Sequence, residues 1–288
     1  MSDGVVNDVC AWYAAHARDL PWRRPEVTPW GVMVSEFMLQ QTPVARVLGP
    51  WREWIERWPT ATSLADATSG DAVRAWGRLG YPRRAQRLHV AAVAIRDRHA
   101  GDVPSDLDAL RALPGVGEYT AAAIASFGFG QRQLVLDTNV RRVLARLDAG
   151  VAHPPFGLTV AERRRAAARL PDEPASAALW AVASMELGAQ LCTASNPDCD
   201  RCPIADRCRW LASGRPASDQ PRRGQTWHGT DRQCRGVLLE HVRSAARPPT
   251  TAEVLASWPA DAAQGLRCLD SLLADGLVHL TTDQRLDL

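Results

Sequence analysis

Four cysteines lie close together near residue 200. They follow the spacing Cys192-x6-Cys199-x2-Cys202-x5-Cys208, which places four soft thiolate ligands within 17 residues. The gaps differ from those of a zinc ribbon, in which two close pairs flank a longer spacer. The spacing therefore favours a [4Fe–4S] cluster, with a zinc ion or free thiols as the alternatives. Because no flavin or nicotinamide motif accompanies the cysteines, we expect the cluster to be structural.

Two acidic residues have neighbours that suit acid–base chemistry. Glu36 lies in the segment VSEFML at 34–39, and an acid among apolar side chains has the raised pKa that a proton donor near neutral pH requires. Asp137 follows the apolar run at 134–136 and precedes a helix, whose terminal N–H groups can keep a carboxylate ionised. The alternatives are an exposed helical glutamate and a simple helix N-cap. One protonated and one ionised carboxyl group suit the cleavage of a glycosidic bond.

A glycine-containing turn, LPGVG at 113–117, separates helices predicted at 105–112 and 118–127. Glycine permits positive φ and carries no side chain, so the backbone N–H groups of Gly115, Val116 and Gly117 are expected to approach a DNA phosphate. Such a contact does not depend on base sequence. A routine connection between helices is the alternative, and the cysteine motif further along the chain favours the phosphate contact.

The elements that must position these residues are helices. Helical periodicity dominates residues 5–210, and strand-like alternation is nearly absent. We therefore predict an all-α body, with further helices at 63–79, 83–98, 140–147, 159–170 and 175–188. The tryptophans at 51, 54 and 58 repeat at helical spacing, so we assign them to the core rather than to base stacking.

The chain is predicted to contain two domains joined by a linker. Residues 211–230 are rich in Pro, Gly, Ser and Arg, as a linker is, and separate domain 1–210 from domain 231–288. Helices predicted at 233–244, 251–257 and 262–274 precede strands at 277–281 and 285–288. Three helices and a hairpin indicate a small C-terminal winged-helix-like module.

Composition narrows the class of protein. The 288 residues are 46% hydrophobic, and no segment resembles a membrane span or a secretory signal, so we expect a cytoplasmic protein with reduced cysteines and no membrane partner.

The net charge is +2, and residues 225–288 carry six arginines against eight acids. The basic excess therefore precedes residue 225, which is consistent with a nucleic-acid partner. All 34 basic residues are arginine, and the chain contains no lysine.

Four motifs in this order resemble the MutY branch of the helix–hairpin–helix DNA glycosylase superfamily. They are SExMLQQT at 35–42, LPGVG at 113–117, LDxNV at 136–140 and the cysteine spacing at 192–208. The resemblance covers about residues 11–210 and implies a two-lobed all-α glycosylase fold with a cluster loop. It further implies a monomeric base excision repair enzyme that binds double-stranded DNA. The implied reaction is hydrolysis of the N-glycosidic bond of flipped-out adenine mispaired with 8-oxoguanine or guanine.

The resemblance also assigns roles to residues. Glu36 would protonate adenine and help to activate water, and Asp137 would stabilise or briefly trap the sugar cation. Tyr119 and Asn139 would support the two carboxyl groups. The residues that match the adenine pocket of relatives are Arg18, Trp22, Arg23, Leu39 and Glu186. Those that match positions beside the opposite base are Gln41, Thr42 and Tyr81, and the triplet 40–42 is too polar for the core.

The absence of lysine separates two branches of this superfamily. The endonuclease III branch resembles this chain in fold and cluster but has a Schiff-base lysine where this chain has Tyr119. A chain without lysine cannot form a Schiff base through an ε-amine. We therefore predict a monofunctional glycosylase that leaves an abasic site.

The chain departs from the adenine-glycosylase pattern in several places. Thr138 stands where these enzymes more often have Gly, Pro82 stands where a second Tyr is usual, and the segment 193–198 lacks basic residues. DNA affinity is therefore expected to depend on Arg83, Arg84, Arg87 and the glycine turn. The residues after Gln225 are too few for the MutT-like domain of relatives, so either this tail contacts DNA differently or lesion selectivity rests with Gln41, Thr42 and Tyr81.

Two other functions are compatible with parts of the sequence. A thymine or uracil mismatch glycosylase of the same superfamily would share the cluster, the glycine turn and Asp137. Glu36 argues against it, because a purine leaving group benefits from ring protonation more than a pyrimidine does. A non-enzymatic iron–sulfur DNA-binding sensor would have no use for the paired carboxyl groups.

Overall fold

The computed structural model describes residues 4–217 and 227–288. Helices dominate these residues, as predicted. In chain order they are Gly4–His16 (α1), Pro29–Leu39 (α2), Val44–Arg57 (α3), Ala61–Ala65 (α4), Ser69–Trp76 (α5), Arg83–Arg98 (α6), Leu107–Arg111 (α7), Glu118–Phe129 (α8), Thr138–Leu144 (α9), Val160–Arg169 (α10), Pro174–Gln190 (α11), Arg209–Ala212 (α12), Asp231–Ser244 (α13), Thr251–Ala256 (α14) and Ala262–Ala274 (α15). Short 3₁₀ turns lie at Pro21–Arg23 and Ala205–Arg207, and a π-helical turn at Ala145–Ala149.

The chain divides into two compact units. The first comprises Met1–Met33, Ser105–Ala112 and Val116–Arg222, and the second comprises Val34–Pro104, Leu113–Gly115 and Arg223–Leu288. The predicted domains 1–210 and 231–288 stay a prediction. Residues 218–226 of the predicted linker lie outside the described residues.

The core of the first unit lies between α1, α9 and α11. Val9 of α1, Val143 of α9 and Leu187 of α11 are buried in one apolar cluster. The helical spacing of the apolar residues in each helix places them on one face, which is the face that packs. Glu173 caps α11 by accepting hydrogen bonds from the N–H groups of Ala175 and Ser176. The cap fixes where α11 begins.

Tryptophans form the core of the second unit. Trp54 is 1% exposed, and its ring centroid lies 4.7 Å from that of Trp58 and 5.5 Å from that of Trp76. The assignment of the tryptophans at 51, 54 and 58 to the core is confirmed. Edge-to-face packing of this kind suits the quadrupoles of indole rings.

The single helix predicted at 63–79 is wrong, because the structure has two helices, α4 and α5, in this region. The Thr68 hydroxyl accepts a hydrogen bond from the Asp71 N–H, and the Asp71 carboxylate accepts one from the Thr68 N–H. This capping box starts a new helix at Ser69. Apolar periodicity continues across the break and therefore conceals it.

The C-terminal part of the second unit contains α13, α14 and α15, followed by strands His279–Leu280 (β1) and Leu286–Asp287 (β2). The strands are antiparallel, with Leu280 opposite Leu286. We call residues 227–288 the C-terminal module. The predicted order of three helices and a hairpin is confirmed, although the strands are shorter than predicted. No helix among the described residues has the length and apolar character needed to cross a membrane.

The C-terminal module packs on α5 and α6 within the second unit. Arg74 of α5 donates a hydrogen bond to the backbone oxygen of Arg243 at 2.9 Å and to the carboxylate of Asp287 at 3.1 Å. The Gln86 side chain of α6 donates to the Gly276 oxygen at 2.6 Å. These contacts join α13 and β2 to α5, and the turn after α15 to α6.

Candidate active site and iron–sulfur loop

Asp137 is the N-cap of α9, in the first unit. Its Oδ1 accepts a hydrogen bond from the Val140 N–H at 2.6 Å, and its Oδ2 accepts one from Asn139 Nδ2 at 2.7 Å. The cap geometry that the sequence allowed is therefore present, and Asn139 contacts the carboxylate. A cap uses only part of the acceptor capacity of a carboxylate, so capping and catalysis are compatible here.

The pKa of Asp137 is shifted upward. Burial raises this pKa, and the hydrogen bonds from Val140 and Asn139, together with the charge of Arg142, offset the increase only in part. The expected N–H donors are thus in place, but they do not outweigh desolvation. The carboxylate is consequently a stronger base than an exposed aspartate.

Arg142 connects the support of Asp137 to the cysteine loop. Its Nη2 donates to Asn139 Oδ1 at 2.8 Å and to the Gly188 oxygen at 2.7 Å, and its Nε donates to the Cys192 oxygen at 2.7 Å. Sequence analysis missed Arg142. Its position three residues after Asn139 in a helix was the available signal.

Gly188 of α11 permits the close approach of α9. A Cβ at this position would lie 2.7 Å from the Asn139 Cβ and 2.9 Å from the Asn139 oxygen, distances that force a shift. We expect Gly188→Ala to displace Asn139, to destabilise the protein by about 1 to 3 kcal/mol and to slow base excision. Thermal unfolding and single-turnover excision measure the two effects.

Gly265→Ala is the matched control for this prediction. Gly265 also lies inside a helix, α15, but a Cβ placed there would meet only Leu255 Cδ2 at 3.5 Å and Trp258 Cδ1 at 3.9 Å, which are ordinary van der Waals distances. Alanine at this site is expected to stabilise the protein by about 0.5 to 1 kcal/mol and to leave excision unchanged. Equal effects of the two substitutions would contradict a specific role of the Gly188 contact.

A buried ion-pair cluster surrounds Glu186 of α11. Its Oε1 accepts hydrogen bonds from Arg18 Nε at 2.6 Å and from Gln190 Nε2 at 2.6 Å, and its Oε2 accepts from Arg18 Nη2 at 2.8 Å and Arg23 Nη2 at 2.9 Å. Burial alone would raise the pKa of Glu186, but the hydrogen bonds and charges of the two arginines outweigh it and lower the pKa to about 2. Both carboxylate oxygens are used within the protein, so Glu186 orients the arginines.

Arg23 retains an unused donor. Its Nη1 is buried and has no hydrogen-bond partner among the described residues. An unpaired buried donor is costly, and such groups are common at binding sites. The structure thus brings together Arg18, Arg23 and Glu186, three of the residues matched to the adenine pocket. Trp22 precedes Arg23 and is 7% exposed.

Tyr119 lies in the first turn of α8, in the first unit. It packs against a cluster formed by Ala122, Ala123, Val135 and Ala181. The start of α8 is set by Gly117, the N-cap residue, which is exposed. Tyr119 and the exposed end of the turn therefore belong to the same helix terminus.

The two glycines of the LPGVG turn have different structural roles. Gly115 has φ +81°, and a Cβ there would meet the Arg87 Cβ at 2.9 Å and the Phe37 Cε1 at 3.0 Å within the second unit. Gly117 has an ordinary φ of −88° but is surrounded by open space. Gly115 therefore uses the positive φ that glycine permits, whereas Gly117 provides access to its backbone through the absence of a side chain.

Glu36 lies on α2 in the second unit and is 6% exposed. Its sequence neighbours Val34, Phe37 and Met38 are also buried. Leu39, the last residue of α2, is half-buried. The alternative of an exposed helical glutamate is therefore excluded, and the role of Glu36 as a proton donor stays a prediction.

The prediction that the triplet 40–42 avoids the core is wrong for Thr42, which is 7% exposed. Its hydroxyl accepts a hydrogen bond from Arg84 Nη2 at 2.9 Å and lies 3.3 Å from the Leu79 oxygen, so its polar atom is satisfied inside the protein. Gln41, by contrast, is exposed.

Arg84 is buried, which corrects its expected role in binding phosphate. Its Nη1 donates to the backbone oxygens of Phe37 and Met38, both at 2.9 Å, and its Nη2 to that of Gly80 at 2.9 Å. No carboxylate pairs with it among the described residues, and burial lowers its pKa to about 10. Arg84 therefore joins the C-terminal end of α2 to the turn before α6.

Both segments that Arg84 joins contain a strained residue. Gln41 has φ +57° and Tyr81 has φ +48°, values that cost about 1 to 2 kcal/mol for a residue other than glycine. The ring centroid of Tyr81 lies 5.5 Å from the Arg84 guanidinium carbon. Tyr81 is 44% exposed. Arg84 thus holds the segments that contain Gln41 and Tyr81, two of the residues matched to positions beside the opposite base.

The four motif cysteines lie in the first unit and influence one another. Burial raises the pKa of Cys202, and the charges of Cys192, Cys208 and Cys199 add to the effect, so that the pKa is about 11. Thiolates placed so closely repel one another unless cations lie among them. The donor set of four sulfurs suits iron, so Cys192, Cys199, Cys202 and Cys208 would hold the [4Fe–4S] cluster.

Arg146 stabilises the cysteine loop from the π-helical turn. It is 2% exposed, and its Nη1 donates to Cys192 Sγ at 3.2 Å and to the Thr193 oxygen at 2.8 Å. Its guanidinium carbon lies 4.5 Å from the ring centroid of Trp210. Among the described residues, no three His, Cys, Asp or Glu side chains are arranged to hold a single metal ion.

Comparisons with known proteins identify the family to which the chain belongs. Residues 34–155 match the model of the HhH-GPD superfamily base excision DNA repair proteins, and residues 192–208 match the iron-sulfur binding domain of endonuclease III. The [4Fe–4S] assignment of Cys192, Cys199, Cys202 and Cys208 is thereby supported over zinc.

Two curated relatives cover nearly the whole chain. An adenine DNA glycosylase of Mycobacterium tuberculosis is 51% identical over 97% of this chain and 91% of its own length. One of Mycolicibacterium smegmatis is 49% identical over 96% of this chain and 94% of its own length. A solved thermostable thymine-DNA glycosylase, 23% identical, shares the fold with a TM-score of 0.65 over 72% of this chain and 95% of its own. The chain therefore belongs to the adenine DNA glycosylase family within the HhH-GPD superfamily of base excision DNA repair proteins.

Proposed function

We propose that this enzyme hydrolyses the N-glycosidic bond of adenine mispaired with 8-oxoguanine or guanine and leaves an abasic site. The observation that carries the proposal is Asp137, a carboxylate presented at a helix N-terminus and held by Asn139 in a chain of this family. Loss of a base leaves positive charge on the deoxyribose, and a fixed carboxylate stabilises that charge.

In this proposal Glu36 protonates the departing adenine and later helps to activate water. It is buried on α2, as a proton donor shielded from water would be. Asp137 stabilises or briefly traps the sugar cation, and Tyr119 and Asn139 support the two carboxyl groups. The family resemblance assigns Arg18, Trp22, Arg23, Leu39 and Glu186 to adenine binding, and the Arg23 Nη1 group, which has no partner among the described residues, is the candidate donor to a ring nitrogen. The backbone of Gly115, Val116 and Gly117 contacts a DNA phosphate.

The experiment that tests the function uses end-labelled duplexes with A:8-oxoguanine, A:G, T:G and U:G pairs. We expect excision of adenine only, with strand breaks appearing after alkali, because the chain has no lysine for a Schiff base. Strand cleavage without alkali would exclude a monofunctional enzyme. Excision of thymine or uracil would favour the mismatch glycosylase, and duplex binding without any excision would favour a sensor.

Arg84 positions the residues beside the opposite base in this proposal. Arg84→Lys keeps a positive charge but replaces a planar guanidinium with a compact ammonium group, which cannot span the two segments. We expect the ratio of excision rates for A:8-oxoguanine and A:G duplexes to change by about tenfold. Single-turnover kinetics on both duplexes measures the ratio.

Arg98→Lys is the control for Arg84→Lys, because Arg98 is exposed at the other end of α6. This substitution is expected to leave the ratio unchanged. If Arg84→Lys lowers the melting temperature but not the ratio, Arg84 only stabilises the fold and does not position Gln41 and Tyr81.

We also propose that the enzyme acts as a cytoplasmic monomer on mispaired double-stranded DNA. Its cysteines are free in the structure, as a reducing compartment requires. Size-exclusion chromatography with light scattering tests the monomer, and a stable dimer would contradict it.

A further inference from the structure

A large groove lies within the second unit, where the C-terminal module meets α6. Its volume is about 1510 Å³, and it is lined by residues of the segments 40–46, 77–87 and 227–277. Eight arginines and two acidic residues contribute to this lining, although the net charge of the whole chain is only +2. Such a concentration of one sign of charge predicts an anionic ligand.

Some of this positive charge is neutralised within the groove. Asp275 pairs with Arg235 at 2.6 Å and with Arg83 at 3.4 Å, and Glu240 pairs with Arg243 at 2.7 Å. The lining arginines that make no ion pair with any described residue are Arg46, Arg78, Arg87 and Arg232. Arg84 is buried and bound to backbone oxygens. A net positive surface therefore remains available to a ligand.

Exposed aromatic rings lie beside these charges. Tyr81 is 44% exposed and Trp227 is 48% exposed, and both line the groove. The Arg232 guanidinium carbon lies 5.9 Å from the Tyr81 ring centroid. Arginines that alternate with exposed aromatic rings are the combination that nucleic-acid-binding grooves use for phosphates and bases.

Helix α13 contributes most of the residues that the C-terminal module places in this groove, whereas α15 contributes only Ser271 and Leu272. In a helix-turn-helix module the second helix of the pair enters the major groove of DNA. Here that helix, α15, has one arginine and one acid, Arg267 and Asp270, and α14 has only the acidic Glu253. Helix α13 provides three of the lining arginines, Arg232, Arg235 and Arg243.

We propose that this groove binds the phosphodiester backbone of duplex DNA beside the base opposite the excised adenine, with α13 as the DNA-contacting element of the C-terminal module. The inference rests on the proposed function, because Gln41 and Tyr81 at the groove are the residues assigned to the opposite base. It assigns a function to the C-terminal module, which lies outside the ranges 34–155 and 192–208 that the two family models match.

The test measures duplex affinity by fluorescence anisotropy at several salt concentrations, with the full chain and its cluster. Each lost phosphate contact lowers the slope of log K against log salt by about 0.9, which corresponds to about fivefold weaker binding near 0.15 M salt. We expect this change for Arg232→Ala and twice the slope change, about 1.8, for Arg232→Ala combined with Arg87→Ala. Arg232→Lys keeps the charge and is expected to restore the slope.

Arg267→Ala is the matched control, because Arg267 is an exposed arginine of the same module on α15. It is expected to leave affinity and slope unchanged. An unchanged slope in the double variant, or an equal loss in Arg267→Ala, would overturn the inference.

The outcome separates this inference from the proposed function. Adenine excision at saturating enzyme is measured on the same proteins. If the wild-type enzyme excises no adenine but Arg232→Ala still lowers the salt slope, the proposed function fails and the groove remains a DNA site. If excision is normal and the slope does not change, only the groove inference fails.

Discussion

Asp137→Asn is expected to lower the single-turnover rate of adenine excision by about 10²- to 10⁴-fold, while the protein remains folded. The substitution removes the negative charge that stabilises the sugar cation. Asparagine caps a helix as well as aspartate does, so the start of α9 is preserved. Rapid-quench measurement on an A:8-oxoguanine duplex gives the rate.

The stability cost of Asp137→Asn is expected to be small. Asparagine Oδ1 can still accept from the Val140 N–H, but its amide group then faces Asn139 Nδ2, which now donates to the carboxylate at 2.7 Å. One hydrogen bond is lost, which costs about 0.5 to 1.5 kcal/mol. Thermal unfolding therefore distinguishes the loss of a charge from the loss of a cap.

Asp106→Asn is the matched control, because Asp106 also caps a helix, α7, by accepting from the Ala109 N–H at 2.9 Å. It is expected to leave excision unchanged. If Asp137→Asn is as active as Asp106→Asn, Asp137 serves only as a helix cap and has no catalytic role.

The pH dependence of the excision rate is expected to show the titration of Asp137. Protonated Asp137 cannot stabilise a cation, so the rate falls as the pH drops through the pKa of Asp137. Because burial raises that pKa, the fall occurs above the pH of about 3.9 that is typical of an exposed aspartate. The residual activity of Asp137→Asn is expected to lack this acidic limb.

Glu36→Gln is expected to reduce excision by about 10²- to 10⁴-fold through loss of the proton donor. Glutamine has nearly the same shape, so the buried position on α2 can accept it. Single-turnover excision of an A:8-oxoguanine duplex measures the rate.

The control for Glu36→Gln is Glu56→Gln on α3, where the side chain is exposed. Its rate and pH profile are expected to match those of the wild type. A Glu36→Gln enzyme that excises adenine normally would contradict the role of Glu36. If the wild type and Glu36→Gln both bind duplex DNA normally and neither excises adenine, the result would favour a sensor.

Much of the fold followed from local patterns. Apolar residues at helical spacing identified most helices, because burying one face is the main stabilisation of a helix in a protein. The exception at 63–79 arose because the capping box of Thr68 and Asp71 interrupts a helix without interrupting its apolar spacing. Local patterns could not predict that residues 34–104 and 223–288 belong to one unit, because these segments are far apart along the chain.

The candidate site was predictable to a different extent for each residue. Asp137 and Asn139 lie two positions apart, and a helix start brings such neighbours into contact without further help. The cluster at Glu186 depends on residues more than 160 positions apart in the chain. Arg84 looked like an exposed phosphate-binding residue, because its neighbours in sequence do not reveal that it is buried.

The sequence by itself determined the reactive groups: four thiols at cluster spacing, an acid in an apolar segment, an acid at a helix start and no lysine for a Schiff base. These properties depend on residue type and on neighbours along the chain. Tertiary structure alone decided that Glu186 orients two arginines, that Arg84 anchors two strained residues and that arginines of α6 and α13 share a groove. Burial and ion pairing are long-range properties, and only folding brings together the groups that produce them.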